Sequence, residues 1–168
     1  SKSGLFAHFK SKEALQLAVV DHAAERFVAR VITPTQAAPR GEPRIRALVE
    51  HWLEWHRTDA RPGGCFFAAA AFEVDDRPGP VRARIAELQR NYDTYLATLA
   101  RKAVEEGHFR ADVDPQQFAY EIYGVALVTQ HHARLLEDPR VEERARTSFH
   151  ALVDAACVPR RRSRPKAA

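Results

Sequence analysis

Lys2, Ser3, Gly4, Phe6, His8 and Lys12 place small polar, basic and aromatic groups within the first twelve residues. Such side chains can reach the phosphate oxygens and base edges of a duplex. Leu5 and Phe9 stand four apart among them. On a helix they share one face and leave the polar set to other directions. Ser1 is placed to cap a helix starting at Lys2, and Ser11 to cap another starting at Lys12. A short rod with one apolar stripe and a small basic outer side suits a major groove. Lys12, at a helix start where backbone N–H groups gather, suits an anion.

A second set of residues could hold a small molecule. Trp52, Trp55, His56, Phe66, Phe67, Tyr92, Tyr95, Phe118 and Tyr123 are the candidate ligand-binding residues, with Cys65, Phe72 and His131 on the same elements. Ligand pockets are mainly apolar and aromatic, with a few polar groups for orientation. A solid aromatic core would use the same residues, so the sequence leaves both readings open.

Metal and catalytic chemistry find less support. His131 and His132 are adjacent and would point about 100° apart on a helix. His51 and His56 are five apart and miss the i, i+4 spacing of helical metal pairs. Cys65 reads more plainly as a buried apolar thiol than as an oxidant sensor. Asp75 and Asp76 lie in a Pro/Gly loop and read as caps. No Gly-rich phosphate loop, nucleophile elbow or triad spacing is visible. The expectation is a protein that is not an enzyme and takes no metal or cofactor.

These residues must be positioned by helices. Leu15, Ala18, Val19, Ala23, Phe27 and Val31 step at close to helical spacing, which predicts a helix over 12–31. The next segment, 33–43, holds three prolines and a glycine and reads as a loop. A helix over 43–58 carries Ile45, Leu48, Val49, Trp52 and Trp55 on one face. Residues 65–74 are short and apolar; periodicity would allow a strand, but the alanine run favours a buried helix. The clearest pattern is Val81, Ile85, Leu88, Tyr92, Tyr95, Leu99 and Ala103, a helix ended by Gly107. Asp114 and Pro115 start another helix over 115–136. It carries two apolar stripes, one through Phe118, Ile122, Val125, Thr129 and Leu136, the other through Ala119, Tyr123, Ala126, Leu127 and Gln130. One stripe can face the chain's own core; the other is expected to need a partner. A last helix over 141–156 completes an antiparallel hairpin, and two such hairpins could form a four-helix dimer interface, with Gly124 and Ala126 allowing close approach. The expected fold class is all-α.

The opening segment resembles the TetR family of transcriptional repressors, whose recognition helix and following turn read roughly S-K-x-x-L-[YF]-x-H-F-x-S-K-E-x-L. The matching residues are Ser1, Lys2, Leu5, Phe6, His8, Phe9, Ser11, Lys12, Glu13 and Leu15. The resemblance implies a TetR-like helical C-terminal domain that binds ligand and dimerises. It also implies a helix-turn-helix whose groove-facing start is Lys2, Ser3 and Gly4, with His8 and Lys12 on phosphates. Phe6 stands where tyrosine is frequent, so a hydroxyl contact would be absent. Family members have two further helices before this point, and the chain contains no methionine, so an N-terminally truncated fragment is expected.

The implied organisation is 1–31 as helix-turn-helix remnant and connecting helix, 43–157 as ligand-binding and dimerisation domain, and 158–168 as a disordered basic tail. The implied partners are operator DNA for the parent protein, a second copy through 115–136 and 141–156, and a small hydrophobic effector that releases a repressor from DNA. A helical small-molecule-binding protein without DNA function is the alternative.

Charge and composition bound these readings. The formal net charge of +4 includes +5 from Arg160, Arg161, Arg162, Arg164 and Lys166, leaving −1 for the rest. The body is therefore balanced rather than a basic nucleic-acid surface. No stretch approaches the ~18 apolar residues of a membrane span, and two separated cysteines suit a reducing cytoplasm.

Overall fold

Ser11 opens the first helix as a cap: its Oγ accepts the Ala14 N–H at 3.0 Å, satisfying one of the donors a helix start leaves over. The structure, a computed structural model, describes residues 11–58 and 65–159. Helix α1 (Lys12–Phe27) buries Val20 and Ala23. It passes into a π-helical turn, Val28–Ile32, and one closing α turn, Thr33–Thr35. The loop expected from residue 33 therefore begins later. Pro34 lacks the N–H that would bond the Arg30 carbonyl, and its ring would crowd that carbonyl in a regular helix. The widened turn just before it relieves both, with Thr33 N–H reaching back to the Val28 carbonyl. Thr35 is fully buried, and its hydroxyl donates to the Val31 carbonyl at 2.7 Å.

The following loop is fastened by Arg44, whose guanidinium donates to the Ala38 carbonyl at 2.7 Å and the Gln36 carbonyl at 3.1 Å. Gly41 has φ +86°, and a Cβ there would meet His108 Nδ1 at 2.2 Å. The glycine thus admits both the left-handed turn and the imidazole, which accepts the Glu42 N–H at 3.2 Å. Helix α2 (Glu42–Thr58) then buries Ile45, Leu48, Val49, Trp52, Leu53 and Trp55. It meets the last helix through Trp52 against Phe149 and through ion pairs of Arg46 with Asp154 and of Glu50 with Arg146.

Helix α3 (Phe66–Val74) is a helix rather than a strand. Helix α4 (Pro80–Glu105) is the longest, and α5 (Pro115–Arg134) packs along it. Asp114 caps α5 by accepting from Gln116 N at 2.8 Å. Helix α5 stops two residues short of the expected 136, because the chain reverses at Glu137, φ +49°, and Asp138 N–H closes back on the His132 carbonyl at 3.0 Å. Helix α6 (Val141–Ala156) packs against α5 and α2. Its end is tied to the α4–α5 loop by an isolated antiparallel bridge between Phe109 and Cys157. The fold is all-α; among the described residues there is no strand. Its core runs from Val31 through Trp52, Leu96, Ala100, Phe109 and Phe118 to Phe149 and Val153.

The second apolar stripe of α5 does not look outward. Ala119 is fully buried, and Tyr123, Ala126, Leu127 and Gln130 line an internal cavity. Phe118, Ile122 and Thr129 of the first stripe are buried as well, while its end at Leu136 is 54% exposed. The outward apolar row is a third one, Tyr120, Gly124, Val128 and Leu135, with Tyr120, Val128 and Leu135 exposed at 72%, 58% and 70%. Ala126 accordingly belongs to the interior rather than to a helix–helix contact between copies.

A cavity between the helices

Helices α1 to α5 surround a half-open cavity of about 360 Å³. Helix α1 and its π turn supply Ala24, Phe27, Val28 and Ile32; α2 supplies Trp52. Cys65, Phe67 and Ala68 come from the start of α3, and Leu88, Gln89, Asn91, Tyr92 and Tyr95 from α4.

Phe27 organises the wall. It meets Trp55, Phe67 and Tyr92 nearly edge-on, with centroids 5.9, 6.2 and 5.3 Å away. Such T-shaped pairs fix ring orientation beyond simple burial. Tyr92 continues the series to Tyr123 at 6.3 Å. Each of these rings comes from a different helix, so the cavity is framed by aromatic contacts between α1, α2, α3, α4 and α5.

Polar groups are sparse. Cys65 N–H donates to Gln130 Oε1 at 3.0 Å, tying the start of α3 to α5. Gln89 Nε2 donates to the Phe67 carbonyl at 3.2 Å, tying α3 to α4. Gln36 Nε2 donates to Tyr95 Oη at 2.7 Å. Burial pushes the Tyr92 phenol well above its ordinary value, and Cys65, Tyr95 and Tyr123 add to the effect. Tyr123 is raised for the same first reason, with Cys65 and Asp93 contributing. Tyr95 is raised by burial despite the Gln36 bond and Arg44. All three remain neutral phenols at ordinary pH.

Of the ligand-binding candidates from sequence, Trp52, Phe67, Tyr92, Tyr95 and Tyr123 line this cavity. Trp55 does not: it is buried behind Phe27, with the Arg26 guanidinium 5.7 Å from its ring centre. His56 stacks on Trp52 with centroids 5.2 Å apart, outside the lining. Phe66 packs edge-on against Phe67, and Phe118 sits in the core against Phe109 at 5.1 Å. Phe72 and His131 face outward. These residues share helices with the lining ones but differ in phase, which residue type alone does not reveal. The unforeseen contributors include Ala24, Phe27, Val28 and Ile32, on a helix that reads as a connector; others are Ala68, Leu88, Gln89 and Asn91, and Ala126, Leu127 and Gln130.

Lys2, Ser3, Gly4, Phe6 and His8 lie outside the described residues. Lys12 is exposed as the first residue of α1, beside the capping Ser11. Among the described residues no group of three His, Cys, Asp or Glu side chains is placed to hold a metal ion.

The sequence matches a family model described as tetracyclin repressor-like, C-terminal domain, over residues 41–149. Similar solved structures include a TetR transcriptional regulator from Chloroflexus aurantiacus J-10-FL, 26% identical, with a TM-score of 0.77 over 89% of this chain and 74% of that one. A TetR-family regulator from Cytophaga hutchinsonii has a TM-score of 0.81 at 19% identity, covering 95% of this chain and 80% of that one. AibR, solved with isovaleryl coenzyme A and operator DNA, has a TM-score of 0.69 at 20% identity, covering 94% and 80% respectively. No curated protein matches the sequence.

Proposed function

Since the chain belongs to the TetR family of transcriptional regulators, we propose that it is a repressor that leaves its operator when a small molecule fills the cavity between α1 and α5. One observation carries this reading. Helix α1 is a wall of the cavity through Ala24 and Phe27, and it is also the direct covalent continuation of residues 1–11. A ligand packed on that wall favours one position of α1 over another, and differential affinity of this kind is what couples two sites. AibR, crystallised with both an acyl-coenzyme A and operator DNA, supports such a coupling by analogy of fold.

In this reading residues 1–31 hold the DNA-reading remnant and the connecting helix. Lys2, Ser3, Gly4, Phe6, His8 and Lys12 face the duplex. Residues 43–157 bind ligand and dimerise, and 158–168 form a basic tail. Two copies pair through the outer faces of α5 and α6, where Gly124, Val125, Val128, Val141 and Ser148 line an open groove.

The test is a transcriptional reporter driven by the DNA flanking the native gene. Deleting the gene should raise its output, and an inducer found by screening should do the same. Ala126→Trp, which fills the cavity, should repress and ignore the inducer. Falling output on deletion would make the protein an activator. Undiminished induction of Ala126→Trp would remove the cavity from the mechanism.

A further inference from the structure

We infer that the cavity selects an uncharged, largely apolar molecule bearing a hydrogen-bond acceptor, which the hydroxyls of Tyr92 and Tyr123 engage at one end. The inference rests on the effector-site reading above and names the chemistry of its ligand.

Three observations support it. First, among the described residues no Lys, Arg, His, Asp or Glu lines the cavity. An ionised ligand would be partly desolvated there without a counter-charge from those residues, which disfavours it. The charges acting on the lining tyrosines, Asp93 on Tyr123 and Arg44 on Tyr95, belong to residues outside the lining.

Second, three polar groups of the wall are already used, while Asn91 also lines it from an exposed position on α4. The Gln130 carbonyl oxygen takes the Cys65 N–H, the Gln89 amide takes the Phe67 carbonyl, and Tyr95 Oη takes Gln36. The hydroxyls of Tyr92 and Tyr123, by contrast, have no hydrogen-bond partner among the described residues. A half-buried hydroxyl without a protein partner is free to donate, and a ligand that supplies an acceptor there gains a hydrogen bond.

Third, the two phenols are neighbours, with ring centres 6.3 Å apart, and both feel Cys65. Phe27, Val28, Ile32 and Leu88, by contrast, present only hydrocarbon to the cavity. Because both phenols keep their protons at ordinary pH, they donate. The matching ligand atom is an acceptor such as a ketone, ester or ether oxygen.

The test is calorimetric titration of the chain with three compounds of nearly one shape: 2-acetonaphthone, 2-isopropylnaphthalene and 2-naphthoate. The ketone should bind tightest and the carboxylate at least about tenfold more weakly. Replacing both phenols (Tyr92→Phe with Tyr123→Phe) should cut the preference for ketone over hydrocarbon about three- to tenfold while sparing hydrocarbon binding. Ala126→Trp should lose all three compounds. Naphthoate binding as tightly as the ketone, or an unchanged preference in the double variant, would overturn the ligand class and leave the site standing. Failure of all three compounds to bind, or their retention by Ala126→Trp, would remove the effector site itself.

Discussion

His56 shows how one residue can look functional in sequence and serve the scaffold in structure. It stacks on Trp52 at an interplanar angle of 28°, so it backs the cavity wall without reaching the cavity. Burial lowers its pKa below the ordinary 6.5; Arg134 lowers it too, while Glu142 and the Gln130 bond oppose the change. The folded state therefore prefers the neutral ring. Its contribution to stability is complete above the unfolded value and is lost as pH falls through the folded one. Urea unfolding at about pH 7.5 and about pH 5 should show a greater loss of stability for the native chain than for His56→Gln. Parallel losses in the two proteins would mean that the imidazole is not held neutral.

At the scale of elements, the junction between α1 and α2 shows the tightest local fit. Gly41 holds a positive φ with His108 pressed against the place a side chain would occupy. Gly41→Ala should lower the unfolding free energy by about 1–3 kcal/mol, read from the urea midpoint. A change near zero would show that the imidazole moves aside without cost. Helix α1 is also tied to α4 by Asp21 and Arg84 at 2.8 Å, a solvent-screened pair that orients the helices more than it stabilises them.

Most of these helices were legible in the sequence, because apolar residues at 3.6 spacing and caps such as Asp114 state them locally. The cavity was legible only in part. Trp52, Tyr92 and Tyr123 announce themselves by type, whereas Ala24, Ala126 and Leu127 matter through what they leave empty. Emptiness depends on how five helices meet, and no local pattern encodes it. The outward face of α5 was misread for a related reason: with three apolar rows on one helix, only packing decides which two are covered.

The whole molecule leaves an apolar row along α5 uncovered, and exposed rows of this size mark surfaces for association. Val128 lies in its middle, beside the groove shared with α6. Sedimentation should find a dimer for the native chain at micromolar concentration and a monomer for Val128→Glu. A native monomer would contradict the proposed pairing. None of the described helices is long and apolar enough to cross a membrane.

The π turn at Val28–Ile32 takes up one surplus residue, so the stretches of helix before and after it stay nearly in phase. Removing one residue from that turn would leave Asp21 facing Arg84 and Phe27 in the ring cluster, and would set Pro34 in a regular helix, where its ring crowds a carbonyl. Removing one residue from Lys12–Phe27 instead would turn the parts on either side of the gap by about 100° relative to one another. The urea midpoint should therefore fall less for a deletion within the turn than for one within α1.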